Sequence, residues 1–224
     1  MKRTKLKERT LPTYTRGEEI FNMVSHIVGG GFGVIATILC IVVAAIHNNT
    51  YGIISGIIYG LSMILLYTMS SIYHGLKPNT TSKKVFQIID HCTIFILIAG
   101  SYTPFLLCTF RAYDLELGWI LFAIIWGMAI LGIVLNSIDL ERFKVFSMIC
   151  YLAMGWCIIL KASILPSLLG TTGVILLVAG GIAYTIGTIF YGFGKKVKYF
   201  HSIFHLLILL GSILQFLCII LYVM

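Results

Sequence analysis

The stretch from His201 to Val223, HSIFHLLILLGSILQFLCIILYV, contains no Asp, Glu, Lys or Arg and decides the fold class of this 224-residue chain. A helix needs about 20 mainly apolar residues to cross a bilayer, and this stretch is long enough. The rest of the chain has the same character, because 59% of its residues are hydrophobic and 11% are charged. Soluble domains carry about 25% charged residues. The composition therefore predicts an integral membrane protein and excludes a soluble globular domain.

Six more apolar runs of similar length precede this one, which predicts an all-α bundle of seven transmembrane helices. The first run is too long for the core of a signal peptide, so we expect it to stay in the mature protein. We assign residues 1–19 to a basic cytoplasmic tail and residues 20–224 to the transmembrane domain. The predicted helices cover residues 20–46, 52–76, 85–110, 117–137, 144–165, 171–194 and 199–223.

The basic residues are distributed unevenly over the gaps between these runs. If the N-terminus is cytoplasmic, 14 of the 16 Lys and Arg residues lie inside, and Arg111 and Lys161 lie outside. This positive-inside pattern predicts a cytoplasmic N-terminus and an extracytoplasmic C-terminus for a multi-pass protein of the plasma membrane. The net charge of +8 then reports orientation and gives no reason to expect a nucleic-acid partner.

Ionisable residues inside apolar runs are costly and therefore mark candidate functional sites. Asp90 is the only acidic residue well inside a run, and His74, His201 and His205 lie near the ends of theirs. At a rise of about 1.5 Å per residue, the predicted topology brings all four to within roughly 10 Å of the cytoplasmic face. Three separate helices thus carry polar groups to one level of the membrane.

The spacing of the histidines indicates a metal site. His201 and His205 are one helical turn apart on one face, where two imidazoles can bind the same ion. With His74 they make three imidazoles and one open position, the pattern of a catalytic zinc site, in which Asp90 could hold or deprotonate the bound water. Histidines at helix ends also occur because the interface is polar, and we favour such an interfacial or packing role for His91.

A polar stripe opens the first predicted helix. Glu19, Asn22 and His26 follow one another at steps of three and four residues, so they share a helix face. They could orient the metal ligands from behind. A plain helix-start role for Glu19 is an equally good interpretation.

Four motifs in order resemble the hemolysin III branch of the progestin and adipoQ receptor family. They are Glu19-x-x-Asn22-x-x-Ser25-His26-x-x-Gly29, Ser70-Ser71-Ile72-Tyr73-His74, Asp90-His91 followed by Gly100-Ser101-Tyr102-Thr103-Pro104, and His201-Ser202-Ile203-Phe204-His205. The resemblance extends from residue 18 to about residue 210. It implies a seven-helix fold with a cytoplasmic N-terminus, as the charge distribution does.

The resemblance also implies a zinc ion held by His74, His201 and His205. In that pattern Asp90 holds the metal-bound water and Ser70 lies beside it. The wider superfamily includes alkaline ceramidases, which are zinc amidases that act on lipid. The short tail has no room for the large cytoplasmic domain of the eukaryotic receptors, so we do not expect hormone-receptor function.

Four functions are compatible with these residues. The leading hypothesis is a zinc-dependent hydrolase of an acyl-lipid amide or ester, with Asp90 as general base and Ser70 as donor to the oxyanion. The second is a sensor or regulator of membrane lipid state in which the metal is structural and lipid is a ligand. A pore-forming haemolysin is disfavoured, because such a protein should be soluble before it inserts and this composition predicts no soluble form. Ion transport is disfavoured because no series of ionisable groups reaches the outer side of the membrane. No oligomeric state is predicted.

Overall fold

The computed structural model describes residues 3–224, which form six long helices and no β-strand. Each of the six is long and apolar enough to cross a membrane. The chain is therefore an all-α, multi-pass membrane protein. The helices are α1 (Arg16–Ile46), α2 (Thr50–Gly75), α3 (Thr81–Pro104), α4 (Leu115–Trp156), α5 (Leu165–Phe193) and α6 (Phe200–Tyr222).

The distribution of polar and apolar side chains is the reverse of that in a water-soluble bundle. On α1, Asn22 and His26 are buried, whereas Ile27, Ile35 and Ile38 are each more than half exposed. Large exposed apolar side chains recur along the other long helices except α3, where only Val85 is exposed among the large apolar residues. Such side chains are stable when they face lipid hydrocarbon, and polar groups then gather where helices meet.

Helix α4 covers two of the predicted spans. The predicted run 117–137 and all but the last four residues of the predicted run 144–165 lie in one helical interval, Leu115–Lys161, which has 47 residues. Asp139 interrupts it with non-helical backbone angles (φ −157°, ψ 92°). Its carboxylate accepts a hydrogen bond from the backbone N–H of Arg142 at 3.2 Å, as an N-cap does. The break therefore falls at the predicted Asp139-Leu140-Glu141 turn, although the helix assignment runs through it.

Two other irregularities occur inside the membrane-spanning intervals. Gly170 adopts φ +66° within α5, a left-handed conformation that glycine allows, and a regular helix follows it. Helix α3 continues beyond Pro104 as a π-helical turn, Phe105–Phe110, since proline lacks the N–H of a regular helix. Gly170 immediately precedes the predicted run 171–194, and the predicted run 85–110 includes the π-helical turn.

Two local structures fix the entrances of α1 and α6 beside each other. Thr15 and Glu18 form a capping box at the start of α1. The second carboxylate oxygen of Glu18 accepts a hydrogen bond from the backbone N–H of Tyr199 at 2.7 Å. Tyr199 precedes α6 with φ +63°. This link sets the first turn of α6, which carries His201, against the first turns of α1.

Candidate metal centre

Helices α2 and α6 bring three buried histidines together. The candidate ligand atoms of His74, His201 and His205 all lie within 4.8 Å of one another. The ring centroid of His74 is 5.3 Å from that of His201 and 4.8 Å from that of His205. The centroids of the two α6 rings are 4.6 Å apart. Three imidazoles at this separation could hold one metal ion.

The hydrogen bonding of these rings fits a metal site. Within residues 3–224, Nε2 of His74, Nδ1 of His201 and Nε2 of His205 are buried and have no hydrogen-bond partner. A buried polar atom without a partner is costly. Three of them that point into one small volume are explained if each nitrogen donates its lone pair to a shared cation.

Glu19 orients His74 from behind. Its Oε2 lies 2.6 Å from Nδ1 of His74, and its Oε1 accepts a hydrogen bond from Nζ of Lys83 at 2.7 Å. A carboxylate at Nδ1 selects the tautomer that carries its proton there, which leaves the Nε2 lone pair free for a metal. Lys83 is 1% exposed and also donates to the carbonyl oxygen of Leu76 at 3.1 Å. Glu19 therefore contacts both His74 and Lys83, and its role toward a metal stays a prediction.

His26 contacts His205 in the same way that Glu19 contacts His74. One ring nitrogen of His26 hydrogen-bonds Nδ1 of His205, and the ring centroids are 3.9 Å apart. The Nε2 atom of His205, which has no hydrogen-bond partner, is then available to bind a metal ion. His26 in turn packs edge-on against Tyr67 of α2, with ring centroids 5.0 Å apart. The ligand pair on α6 is therefore positioned from α1.

Asn22 lies in the same stripe but does not touch a ligand ring. Its Oδ1 accepts a hydrogen bond at 2.7 Å from the hydroxyl of Ser202, the residue next to His201. His201 itself is stacked on Tyr14, with ring centroids 4.8 Å apart and planes 14° apart. Tyr14 belongs to the segment before α1, so this segment covers the site.

Asp90 and Ser70 lie next to each other across α2 and α3. The Ser70 hydroxyl is beside the Asp90 carboxylate, and both line one internal cavity. The Asp90 oxygens are not among the clustered ligand atoms. His201 and His205 also line this cavity, whereas His74 lies behind its wall.

The cavity extends from these polar groups into the apolar interior. It has a volume of about 270 Å³ and is lined mainly by apolar atoms. Its far wall includes Trp156, Leu165, Leu177 and Gln215. An elongated apolar space that ends at a cluster of polar groups has the form of a site for an amphipathic molecule.

His91 is a partly buried histidine beside the same cavity that makes a different set of contacts. Its Nδ1 lies 2.8 Å from the carbonyl oxygen of Gln87, and its Nε2 lies 2.9 Å from the hydroxyl of Tyr191. Both ring nitrogens are therefore satisfied by protein groups. This is the packing role expected from the sequence.

Three residues of the site escaped the sequence reasoning. Lys83 was grouped with the basic residues that report orientation, and Tyr14 and Arg9 with the N-terminal tail. Arg9 is 7% exposed and donates a hydrogen bond to Oε1 of Gln87 at 2.8 Å. Lys83 lies in the first turn of α3, at the same membrane depth as Glu19 at the start of α1. This shared depth is the signal that could have identified Lys83.

Comparison with known proteins places the chain in one family. The family described as "Haemolysin-III related" matches residues 14–216. The chain is 41% identical over 207 residues to "Hemolysin-3" of Bacillus cereus, with 92% of each chain covered. It is 39% identical over 209 residues to "Hemolysin-3 homolog" of Bacillus subtilis (strain 168), with 93% of this chain and 96% of the relative covered. The human "Monocyte to macrophage differentiation factor" is 28% identical over 156 residues, which cover 67% of this chain and 63% of that protein.

Proposed function

Since the chain belongs to the haemolysin III-related family, we propose that it is a zinc-dependent hydrolase of an acyl-lipid amide or ester. The observation that carries this proposal is the set of three unpaired, buried imidazole nitrogens beside an amphipathic cavity. Neutral imidazoles suit zinc, and no CxxC motif offers a thiolate alternative. His74, His201 and His205 would hold the ion.

The remaining residues of the site have roles that follow from their positions. A bound zinc ion would polarise the scissile carbonyl and supply an activated water at neutral pH. Asp90 would accept the proton of the attacking water, and the Ser70 hydroxyl beside it would donate a hydrogen bond to the developing oxyanion. Glu19 and His26 would hold the rings of His74 and His205 in place. The cavity would take the acyl chain.

The proposed topology follows from the break in α4. We propose that residues 115–138 and 140–156 are separate spans, which gives seven in all. Asp139 supports this division because a 47-residue interval is more than twice the length that one span requires. The positive-inside pattern then supports a cytoplasmic N-terminus and a site near the cytoplasmic face of the plasma membrane.

The experiment is lipid analysis of proteoliposomes that contain the purified protein, reconstituted with zinc in bacterial lipid. We expect wild type to convert an acyl lipid to free fatty acid, and Asp90→Asn to lower the rate at least 100-fold, as loss of a general base does. His47→Gln is the matched control, because His47 lies at the end of α1 and contacts the carbonyl oxygen of Met224. Its rate should equal that of wild type.

Two results would contradict the proposal. Equal turnover by wild type and Asp90→Asn would remove Asp90 from the mechanism. No turnover by a zinc-loaded wild type over the whole lipid extract would favour the alternative, a lipid sensor with a structural metal. In that case the histidine variants should lose thermal stability together with the metal.

A further inference from the structure

Three basic side chains line the cavity near Asp90, and the proposed chemistry uses none of them. They are Arg9 in the segment before α1, Lys144 in the second half of α4 and Lys195 after α5. All three lie close enough to the imidazole of His91 to act on it electrostatically. Elements that are distant in sequence thus place three positive charges at one end of one cavity.

Arg9 is the most informative of the three because it is buried without a direct ion pair, although Glu141 and Asp139 lie near enough to favour its charge. It is 7% exposed, and within residues 3–224 its Nε has no hydrogen-bond partner and no carboxylate lies within 4.0 Å of it. One terminal nitrogen donates to Gln87, a neutral amide. Burial lowers the pKa of Arg9, which records the cost of desolvating its charge. A buried guanidinium that faces a cavity is stabilised by an anion within that cavity.

Lys144 and Lys195 extend the positive charge towards the rim. Lys144 is half-buried and Lys195 is exposed. Partial burial and the adjacent Lys144 ammonium lower the pKa of Lys195. The nearest carboxylate, Glu141, lies 4.0 Å from Nζ of Lys144 and is itself 55% exposed. Among the described residues, only Lys144 of these three cations lies within 4.0 Å of a carboxylate, so Arg9 and Lys195 have no direct ion pair.

We propose that Arg9, Lys144 and Lys195 bind the phosphate of a phospholipid headgroup, so that the lipid enters with its acyl chain in the apolar part of the cavity. The planar donors of a guanidinium fit two phosphate oxygens, and ammonium groups add charge. The phosphate would lie beside Asp90 and Ser70, close to the ester bonds of the same lipid. This inference rests on the proposed function for its substrate role and names the substrate class as anionic phospholipid.

The test is native mass spectrometry of the full-length protein in detergent, with phosphatidylglycerol and diacylglycerol of identical acyl chains added in equal amounts. The two lipids differ in the phosphate-bearing headgroup. We expect wild type to retain phosphatidylglycerol at least tenfold more than diacylglycerol. Arg9→Gln should reduce this preference about tenfold, as loss of a charge-assisted hydrogen bond does, and Lys144→Gln with Lys195→Gln should reduce it similarly.

Matched variants separate charge at the cavity from charge elsewhere. Lys196 adjoins Lys195 in the chain but does not line the cavity, so Lys196→Gln should keep the full preference. Arg9→Lys should keep part of it. If Arg9→Gln does not fold, the double lysine variant carries the test, because its two side chains lie at the rim.

Equal retention of the two lipids by wild type would overturn the inference, as would an unchanged preference in both Arg9→Gln and the double lysine variant. A third arm adds inorganic phosphate alone. Displacement of phosphatidylglycerol by an equal concentration of inorganic phosphate would assign the cations to the free ion and overturn the lipid part. Retention by Asp90→Asn should be at least that of wild type, because the substitution removes a negative charge beside the phosphate, so the headgroup site is measured independently of turnover and either proposal can fail without the other.

Discussion

The histidine cluster between α2 and α6 is buried and the region around His91 on α3 is partly buried, and the two also differ in what their ring nitrogens contact. In the cluster, each ring leaves one nitrogen without a partner. His91 has protein partners at both nitrogens. The comparison teaches that burial of an ionisable side chain does not identify a ligand. A candidate ligand is identified by a buried nitrogen that has no hydrogen-bond partner and lies close to other such nitrogens.

The largest expected effect is loss of the metal when a cluster histidine is removed. His205→Ala should leave less than one tenth of the metal bound to wild type, because two imidazoles do not complete a three-ligand site. His91→Gln should keep a full complement, since its amide replaces the hydrogen bonds of a packing residue. Elemental analysis of the purified variants measures this. Equal metal content in the two variants would remove the distinction between the regions.

The second effect tests whether the cluster depends on the groups behind it. Glu19→Gln removes the charge that holds Nδ1 of His74 but keeps a similar shape. We expect metal affinity to fall by about 10- to 100-fold, the usual cost of losing such a partner. Titration with a competing chelator gives the value. Glu116→Gln, at an exposed position in the first turn of α4, is the control and should bind metal as wild type does.

A smaller effect is expected one step further from the metal. Lys83→Met removes the ammonium that pairs with Glu19, so the carboxylate loses one of its two partners. A hydrogen bond to a charged group contributes about 1.5–3 kcal/mol. Because Lys83 acts on the metal only through Glu19 and His74, part of this energy affects metal binding, and we expect the metal affinity to fall by about three- to tenfold. Lys84→Met is the neighbouring control, because Lys84 is half-buried and, among the described residues, its ammonium donates to the carbonyl oxygen of Lys7 and pairs with no carboxylate. A larger decrease in Lys84→Met than in Lys83→Met would contradict this chain of contacts.

The smallest effect on metal binding is expected from helix packing. A Cβ at Gly29 would lie 2.6 Å from the ring of Tyr67, which packs against His26, whereas a Cβ at Gly31 meets no atom within 4 Å. Gly29→Ala should lower the free energy of unfolding by about 1–3 kcal/mol, as overpacking does. Its metal affinity should fall less than that of Lys83→Met. Thermal unfolding of Gly29→Ala and Gly31→Ala in detergent measures the difference in stability. Equal stability of the two variants would contradict the expectation that α1 and α2 are tightly packed at Gly29.

Much of the fold follows from local sequence signals. Hydrophobic runs predicted the helices, and the Asp139-Leu140-Glu141 turn coincides with the break in α4. The family resemblance is confirmed. Helical spacing together with membrane depth was sufficient to bring His74, His201 and His205 to one level, and the three lie together in the fold.

The missing parts of the site depend on contacts that spacing does not encode. Lys77, Lys83 and Lys84 are equivalent in a count of basic residues, yet only the packing of α3 against α1 buries Lys83 beside Glu19. Tyr14 and Arg9 lie in a segment without hydrophobic periodicity, so nothing local predicted that it folds over the cavity. These are tertiary contacts between segments far apart in the chain.

The most direct test of the central claim is X-ray absorption spectroscopy of the purified protein at the zinc edge. The account predicts one zinc ion per chain with three imidazole nitrogens at about 2.0–2.1 Å and an oxygen as the fourth ligand. Sulfur ligands at about 2.3 Å, or a protein that binds no zinc when zinc is supplied, would contradict it.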